Sequence, residues 1–425
     1  MRIEWIEVEN FKGFDRREFE FDEHFTLIVG ENGSGKSSLW HIVAIFMEAW
    51  AHHSGISRDF DVEAYRKHLR VITTTLESGS VSEYSLPLNL RFRTNVLGQK
   101  CAFHGSITDA DAPQQVFEDI SSQLSSVALE HINDNLRFQY VLPVVAGFPA
   151  ARSFKQGKPD WRNIMAASPF RKDGYEDWDQ ANDSASSLIE WMGRQEAISA
   201  EDRTDTKVYT SVKRAITSSL PGAVRVWFSA RAGEPVIEWN TGLVIGFSKL
   251  SDGQRSIVSM IGDIARRTAL LNPHLDDPVD QTPGIVFIDE IDLHLHPRWQ
   301  RRIMEDLRRV FPKIQFIATT HSPVIISAAK DAKVIHLDAN GSHELGQAYG
   351  LDVGWVVDEV MGGESRPAEI SALIRQADDC IGEGKLDEAR AVVKRLRDEL
   401  NGPDLEVIRL DSTIENLEAL ANAED

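Results

Sequence analysis

Cysteine is nearly absent from this chain. Cys101 and Cys380 are the only two in 425 residues, too few and too far apart for a disulfide framework or a zinc site, and unpaired structural thiols are expected. Long apolar runs are missing too. No stretch approaches the ~18 consecutive apolar residues of a membrane span, and the first residues lack the charged-then-apolar layout of a secretion signal, so the expected setting is the cytoplasm, without membrane contact. Positive charge is scarce: 46 Lys and Arg face 66 Asp and Glu, a formal net charge of −20, which as a whole repels nucleic acid. What is present is 42% hydrophobic residues, enough for sizeable cores, and a length that allows roughly two to four domains.

Gly30-Glu31-Asn32-Gly33-Ser34-Gly35-Lys36-Ser37 fits G-x-x-x-x-G-K-[S/T]. It follows the apolar run Phe25 to Val29 and precedes the helical run Ser38 to Trp50, the strand, loop and helix that a phosphate cradle needs. The glycines let backbone amides close around phosphate oxygens, and the helix N-terminus adds a favourable dipole. Lys36 is expected to bridge the β- and γ-phosphates and Ser37 to hold Mg²⁺ through its hydroxyl. The expected ATP-contacting set is Gly30, Asn32, Gly33, Ser34, Gly35, Lys36, Ser37 and Ser38. A plain glycine-rich turn is the competing reading, and the register of strand, loop and helix disfavours it.

Three more pieces follow in order. Ile285-Val286-Phe287-Ile288-Asp289-Glu290 reads as a buried parallel strand delivering two carboxylates to a sheet edge, Asp289 for Mg²⁺ and Glu290 for the attacking water. The run Gln315 to Thr319 then leads into Thr320-His321-Ser322-Pro323, which puts an imidazole where open α/β sheets bind ligands; His321 is expected to sense the γ-phosphate. Between these motifs and the phosphate loop, Leu250-Ser251-Asp252-Gly253-Gln254-Arg255 opens an apolar-periodic helix to about Leu271. Ser251, with Gly253 and Gln254, fits a second anion site at a helix N-terminus, or a serine N-cap with Gln254 at its third helical position. One nucleotide rarely needs two cradles from one fold. A head-to-tail dimer, with each ATP between the loop of one copy and Ser251 of the other, reconciles them.

Together these residues resemble the ABC-type ATPases of the RecF, SMC and OLD group. In that group Glu290 would be the catalytic glutamate, His321 the switch histidine and Ser251 the trans-acting signature serine. Asp289 to Pro297 resembles its catalytic acids and D-loop, implying that Asp292 crosses toward the opposite protomer. Asn10-Phe11-Lys12-Gly13-Phe14 resembles the group's first turn and implies a role in seating adenine. His294 and His296 have no further ligands spaced to complete a metal site. A narrower resemblance, carried by Leu250 to Arg255, Gly262 to Arg267, Asn272 to Leu275, Asp289 to Arg301 and Thr319 to Pro323, is to the stand-alone AAA-annotated ATPases of bacterial anti-phage systems, the Septu ATPase and its retron-associated form. Asp252 departs from the usual signature glycine, and Gln139, on an expected strand Gln139 to Val145, is the Q-loop candidate.

Elsewhere, Val71 to Leu76, Glu83 to Arg93 and Lys100 to Ile107 read as strands and Gln115 to His131 as a helix. From Arg152 to about Ser219 the composition turns polar, with a loop Phe154 to Asp160, helices Ser184 to Arg194 and Asp205 to Ser219, and Trp161, Trp178 and Trp191 as interface anchors or as a small local core. Strands follow at Val224 to Ser229, Val236 to Asn240, Leu243 to Phe247 and Lys333 to Leu337. Arg298, Arg301, Arg302, Arg308, Arg309 and Lys313 fall on a helix after Pro297, with Arg266 and Arg267 in the same lobe, either a nucleic-acid patch or a solvated face paired with Glu305 and Asp306. Beyond residue 346 the pattern reads as an α-hairpin with coiled-coil-like seams, a cap or a docking element for a basic partner, since Asn401 to Asp425 holds seven acids against one arginine.

The expectation is an α/β, ABC-type P-loop head: an ATPase lobe with a β-rich part (1–150), a helical insertion (151–220), a second ATPase lobe (221–345) and a helical tail (346–425). Its expected function is ATP- and Mg²⁺-dependent dimerisation that sets the state of a separate effector, a nuclease in anti-phage defence. The alternative is a RecF-like genome-maintenance ATPase that binds DNA directly.

Overall fold

The computed structural model describes residues 1–53, 67–76, 79–112, 114–132, 140–150, 170–179, 184–338, 341–346, 348–400 and 402–424; Gln139, Trp161 and the loop Phe154 to Asp160 lie outside them. The chain divides into two compact units, Met1–Leu351 and Asp352–Asp425.

The first unit runs β1 (Arg2–Phe11), β2 (Phe14–Glu20), β3 (Phe25–Gly30), α1 (Lys36–His53), β4 (Val71–Leu76), β5 (Gly79–Tyr84), β6 (Leu88–Val96), β7 (Gln99–Ile107), α2 (Gln115–Ile132) and β8 (Val144–Phe148). It continues through α3 (Ser184–Asp202), α4 (Lys207–Ser219), β9 (Ala223–Ser229), β10 (Glu234–Trp239), β11 (Val244–Gly246), α5 (Asp252–Leu271), β12 (Gly284–Ile288), α6 (Ile303–Val310), β13 (Ile314–Thr319), β14 (Lys333–Leu337) and β15 (Ser342–Leu345). The central sheet has the order β15-β14-β3-β13-β12-β8, parallel except for β15. β3, β12, β13 and β8 are buried at every position, which is why they read as unbroken apolar runs rather than alternating ones.

A second, antiparallel sheet has the order β2-β1-β6-β7, and α1 fills the space between the two. Trp40 of α1 packs on Phe287 of the parallel sheet at 4.7 Å, while Phe46 meets Phe92 and Phe103 of the other at 5.3 and 5.8 Å. Side chains of this size each contribute about 1.5–3 kcal/mol on burial. Gln315 on β13, only 1% exposed, joins the sheets through polar contacts: its Oε1 accepts from the Ile3 amide and its Nε2 donates to the carbonyls of Ile3 and Asp22, each at 2.8 Å.

Several local expectations change. The single strand read over Glu83 to Arg93 is two, ending at Tyr84 and resuming at Leu88, because Pro87 between them has no amide to donate to a ladder. The Ser184 helix continues to Asp202, and the next begins at Lys207 behind a Thr206 cap. The helix after Pro297 breaks into a turn, Pro297–Gln300, and α6. Trp178 packs on Trp40 at 6.1 Å, within the nucleotide lobe, whereas Trp191 packs on Tyr209 between α3 and α4 at 6.1 Å.

The second unit is a three-helix bundle rather than a hairpin: α7 (Ala368–Gly382), α8 (Leu386–Glu399) and α9 (Leu405–Glu424). Leu373 and Ala377 of α7, Ala389, Val393 and Leu396 of α8, and Val407, Leu410 and Ile414 of α9 make one core. Ile370, Leu373, Ile374, Ala377 and Ile381, which the sequence places on one helical face, thus lie on a third helix that packs with the hairpin. Residues 352–425 carry 19 acids against eight lysines and arginines, a net charge of −11, so over half of the chain's net negative charge lies in this unit.

Candidate nucleotide site

Three adjacent strands, β3, β13 and β12, end on the same edge, and their C-terminal residues converge. The loop after β3 needs left-handed glycines: Gly33 and Gly35 have φ of +84° and +107°. Gly35 is also pressed from outside, since a Cβ there would lie 2.5 Å from the Phe14 ring. Phe14 is therefore a wall behind the phosphate loop, buried at 3% exposure. Lys36 opens α1, with its ammonium held by the carbonyls of Gly30 and Glu31 at 2.8 and 2.7 Å. Burial lowers its pKa, partly offset by the carboxylates of Asp289 and Glu290.

At the end of β12, Glu290 adopts a left-handed φ of +51°, a strained conformation for a non-glycine residue. Thr319, at the end of β13, holds it there. The Thr319 hydroxyl accepts from the Glu290 amide at 2.7 Å and donates to Asp289 Oδ1 at 2.5 Å, so one side chain aligns both acids. Asn32, Gly33, Gly35, Lys36, Ser37, Ser38, Asp289, Glu290 and His321 line a single cavity of about 210 Å³. Gly30 lies at its back, where a Cβ would meet the Leu337 carbonyl at 2.2 Å. Ser34 contributes a buried hydroxyl with no hydrogen-bond partner among the described residues, an orphaned donor in a loop shaped for phosphate oxygens. The site therefore fits a nucleotide's phosphates. Ser37 and Asp289 supply the hard oxygen donors that suit Mg²⁺, completed by water and phosphate oxygens; no group of three or more His, Cys, Asp or Glu among the described residues is arranged to hold a metal by itself.

Beside Ser37 lies a group of bases. His41 Nδ1 meets the Ser37 carbonyl, Lys12 Nζ lies 3.1 Å from the same nitrogen, and His68 stacks on Phe11 at 5.3 Å. Burial, with Lys67 adding, lowers Lys12 to about 8, and burial, with His41 and the two lysines adding, lowers His68 to about 3.

Ser251, Gly253, Gln254 and Asp292 do not line the cavity. Ser251 is exposed and caps α5: its hydroxyl accepts from the Gln254 amide at 3.3 Å, while Gln254 Oε1 accepts from the Ser251 amide at 3.0 Å. Gly253 is packed where a Cβ would meet the His294 carbonyl at 2.7 Å and the Trp299 ring at 3.0 Å. Asp292 is engaged within its own chain, by the Thr320 hydroxyl and by the His321 amide at 3.3 Å, so in this arrangement it positions the histidine segment rather than reaching outward. His296 caps the turn after it, accepting from the Arg298 amide at 3.2 Å.

Of the two readings of the arginine-rich stretch, the contacts with Asp306 fit the paired face, while Arg266 and Arg267 lie elsewhere. Arg266 and Arg267 are buried around Asp263, each at 2.7 Å. Burial alone would raise the Asp263 pKa, but the guanidinia of Arg267 and Arg266 outweigh it and the pKa is lowered. Arg302 and Arg309 both bind Asp306, at 2.8 and 2.7 Å, and Arg308 donates to the Asp331 carbonyl. Arg298, Arg301 and Lys313 remain exposed. Sequence reasoning gave no role to Thr319, to Phe14 as a wall, or to Gln300, which accepts from the Ser322 hydroxyl at 2.9 Å and donates to the Leu295 carbonyl at 3.1 Å; no local periodicity marks such contacts.

A phosphate loop, paired acids and a histidine on neighbouring strand ends make a P-loop nucleotide site at the edge of a parallel sheet. Residues 25–327 match the family described as "AAA domain, putative AbiEii toxin, Type IV TA system", and the chain belongs to that family. It is similar to "Retron Ec83 probable ATPase" of Escherichia coli, 36% identical over 177 residues that make up 41% of this chain and 32% of the relative. It is also similar to "Septu protein PtuA" of Bacillus mycoides, 25% identical over 80% of this chain and 41% of the relative. The chain thus spans less than half the length of either. The SMC head domain from Thermotoga maritima aligns over 81% of this chain and 98% of its own, with 16% identity and a TM-score of 0.44. No described helix is long and apolar enough to cross a membrane.

Proposed function

We propose that the chain hydrolyses ATP with Mg²⁺ at composite sites between two copies, and that the nucleotide state is passed to a separate effector in anti-phage defence. The carrying observation is the division of the predicted site residues: Lys36, Ser37, Asp289, Glu290 and His321 meet in one cavity, while Ser251 lies exposed outside it. A second copy supplying its Ser251 would complete each site. Lys36 contacts the β- and γ-phosphates, His321 faces the γ-phosphate, and Glu290 takes the proton from the attacking water. Ser37 and Asp289 hold Mg²⁺, which neutralises phosphate charge when bound.

The defence setting is supported by the names of the retron and Septu relatives, and a nuclease effector remains part of that proposal. The test is Glu290→Gln, which should retain ATP while lowering turnover by about 10²–10⁴-fold. Light scattering with ATP and Mg²⁺ should show this variant as a dimer or larger assembly, and co-expression with neighbouring genes should retain the effector. A persistent monomer would defeat the composite site; an assembly that retains no neighbour and gives no protection from phage would defeat the defence role.

A further inference from the structure

We propose that Glu234 is a positioning residue for the composite site, a carboxylate latch that fixes how Ser251 is presented to the second copy. This rests on the two-copy reading above. Ser251 follows β11 through one 3₁₀ turn, Phe247–Lys249, anchored by the buried side chains of Phe247 and Leu250, with Ser248 and Lys249 exposed between them. Between these two anchors the polar atoms of Ser248 are held by Glu234, at the start of the neighbouring strand β10. Its Oε2 accepts from the Ser248 amide at 2.8 Å and its Oε1 from the Ser248 hydroxyl at 2.9 Å. From the other side Arg255 donates to the Ser248 carbonyl at 3.3 Å, and its second nitrogen bonds Asp252. Ser248 is thus gripped at three polar atoms, three residues before Ser251.

Gly246 makes room for the grip, since a Cβ there would sit 2.2 Å from Glu234 Oε1. The carboxylate and the glycine therefore form one device, and either can be broken independently. Charge-assisted hydrogen bonds on an exposed segment orient it more than they stabilise the fold. Neither Glu234 nor Gly246 lines the nucleotide cavity, so the protomer's own grip on ATP should not depend on them. Glutamine can replace the carboxylate: its amide oxygen accepts from the Ser248 amide, and its NH₂ donates to the Ser248 hydroxyl, which also accepts.

The experiment uses the full chain carrying Glu290→Gln, with ATP and Mg²⁺. Adding Glu234→Ala or Gly246→Ala should raise the concentration for half-dimerisation at least tenfold by light scattering. Affinity for a fluorescent ATP analogue below that concentration should stay within about twofold, and the melting temperature within about 2 °C. Glu234→Gln should dimerise within about twofold of the parent. Equal dimerisation by Glu234→Ala, or a loss by Glu234→Gln as large as that of Glu234→Ala, would overturn the latch. A parent that fails to dimerise would bring down the two-copy reading and the latch together, whereas failure of the latch alone is marked by a dimerising parent. If both alanine variants unfold, Ser248→Ala, which removes one of the three polar contacts, should give an intermediate loss, and no loss would overturn the inference.

Discussion

Two helix starts in this chain, both assigned to phosphate in the proposed two-copy site, are prepared differently. The first turn of α1 contains no acid, and its loop holds two left-handed glycines and the orphaned hydroxyl of Ser34. The first turn of α5 is occupied by its own side chains: Ser251 and Gln254 cap each other, and Asp252 puts a carboxylate at the positive end of the dipole. The first is a standing phosphate site. The second is self-satisfied, and an incoming phosphate must compete with its cap and with Asp252. Under the two-copy proposal, such a chain would hold a nucleotide alone and engage its Ser251 end only when a loaded second copy makes the exchange favourable.

That contrast can be broken from the α1 side most severely. Gly35→Ala should abolish measurable nucleotide binding, a loss of about 10²-fold or more, because it adds about 1–3 kcal/mol of backbone strain to a collision with Phe14; titration with a fluorescent ATP analogue checks it. On the α5 side, Ser251→Ala should lower stability by about 1 kcal/mol through the lost cap and abolish ATP-driven dimerisation, yet leave analogue binding by the monomer unchanged. Asp252→Gly should sharpen the contrast by removing the competing carboxylate. Dimerisation should tighten about two- to fivefold, from the roughly 0.3–1 kcal/mol such a charge is worth at a helix start, measured by light scattering. If Asp252→Gly instead weakens dimerisation, the carboxylate is a ligand rather than a competitor.

A last expected effect, confined to pH values away from neutrality, falls on the α1 side. His68 and Lys12 are bases whose pKa values fall on folding, so the cost of burying their charge is fully present below the folded value and gone above the unfolded one. Stability should therefore rise with pH between about 3 and 6.5 for His68 and between about 8 and 10.5 for Lys12. Thermal melts of the parent against His68→Gln and Lys12→Met, which should flatten the respective windows, check the sign.

The strand ends were legible in the sequence because each couples a short apolar run to chemistry at its last residue: Phe25 to the glycine loop, Ile285 to Asp289 and Glu290, Gln315 to His321. The packed partners were not. Phe14 reads as one more aromatic in a turn, and nothing in its neighbourhood says that its ring lies behind Gly35. Gln315 reads as a polar first residue of a strand, although its contacts are with Ile3 and Asp22 about three hundred residues away. Pro87 did carry a readable signal for the break between β5 and β6. The helix around Ile370 to Ile381 was legible from its apolar face, but periodicity alone does not say which helices share a core, so its packing with the other two was not.

Thr319 has a consequence for how this site can vary. Its hydroxyl is a single part with two duties, accepting from the Glu290 amide and donating to Asp289. The two acids therefore have no independent tolerance at that position. Serine can perform both duties and valine, of similar shape, neither, so the metal-side and water-side acids share a single point of failure on a strand that contributes no ligand of its own at residue 319.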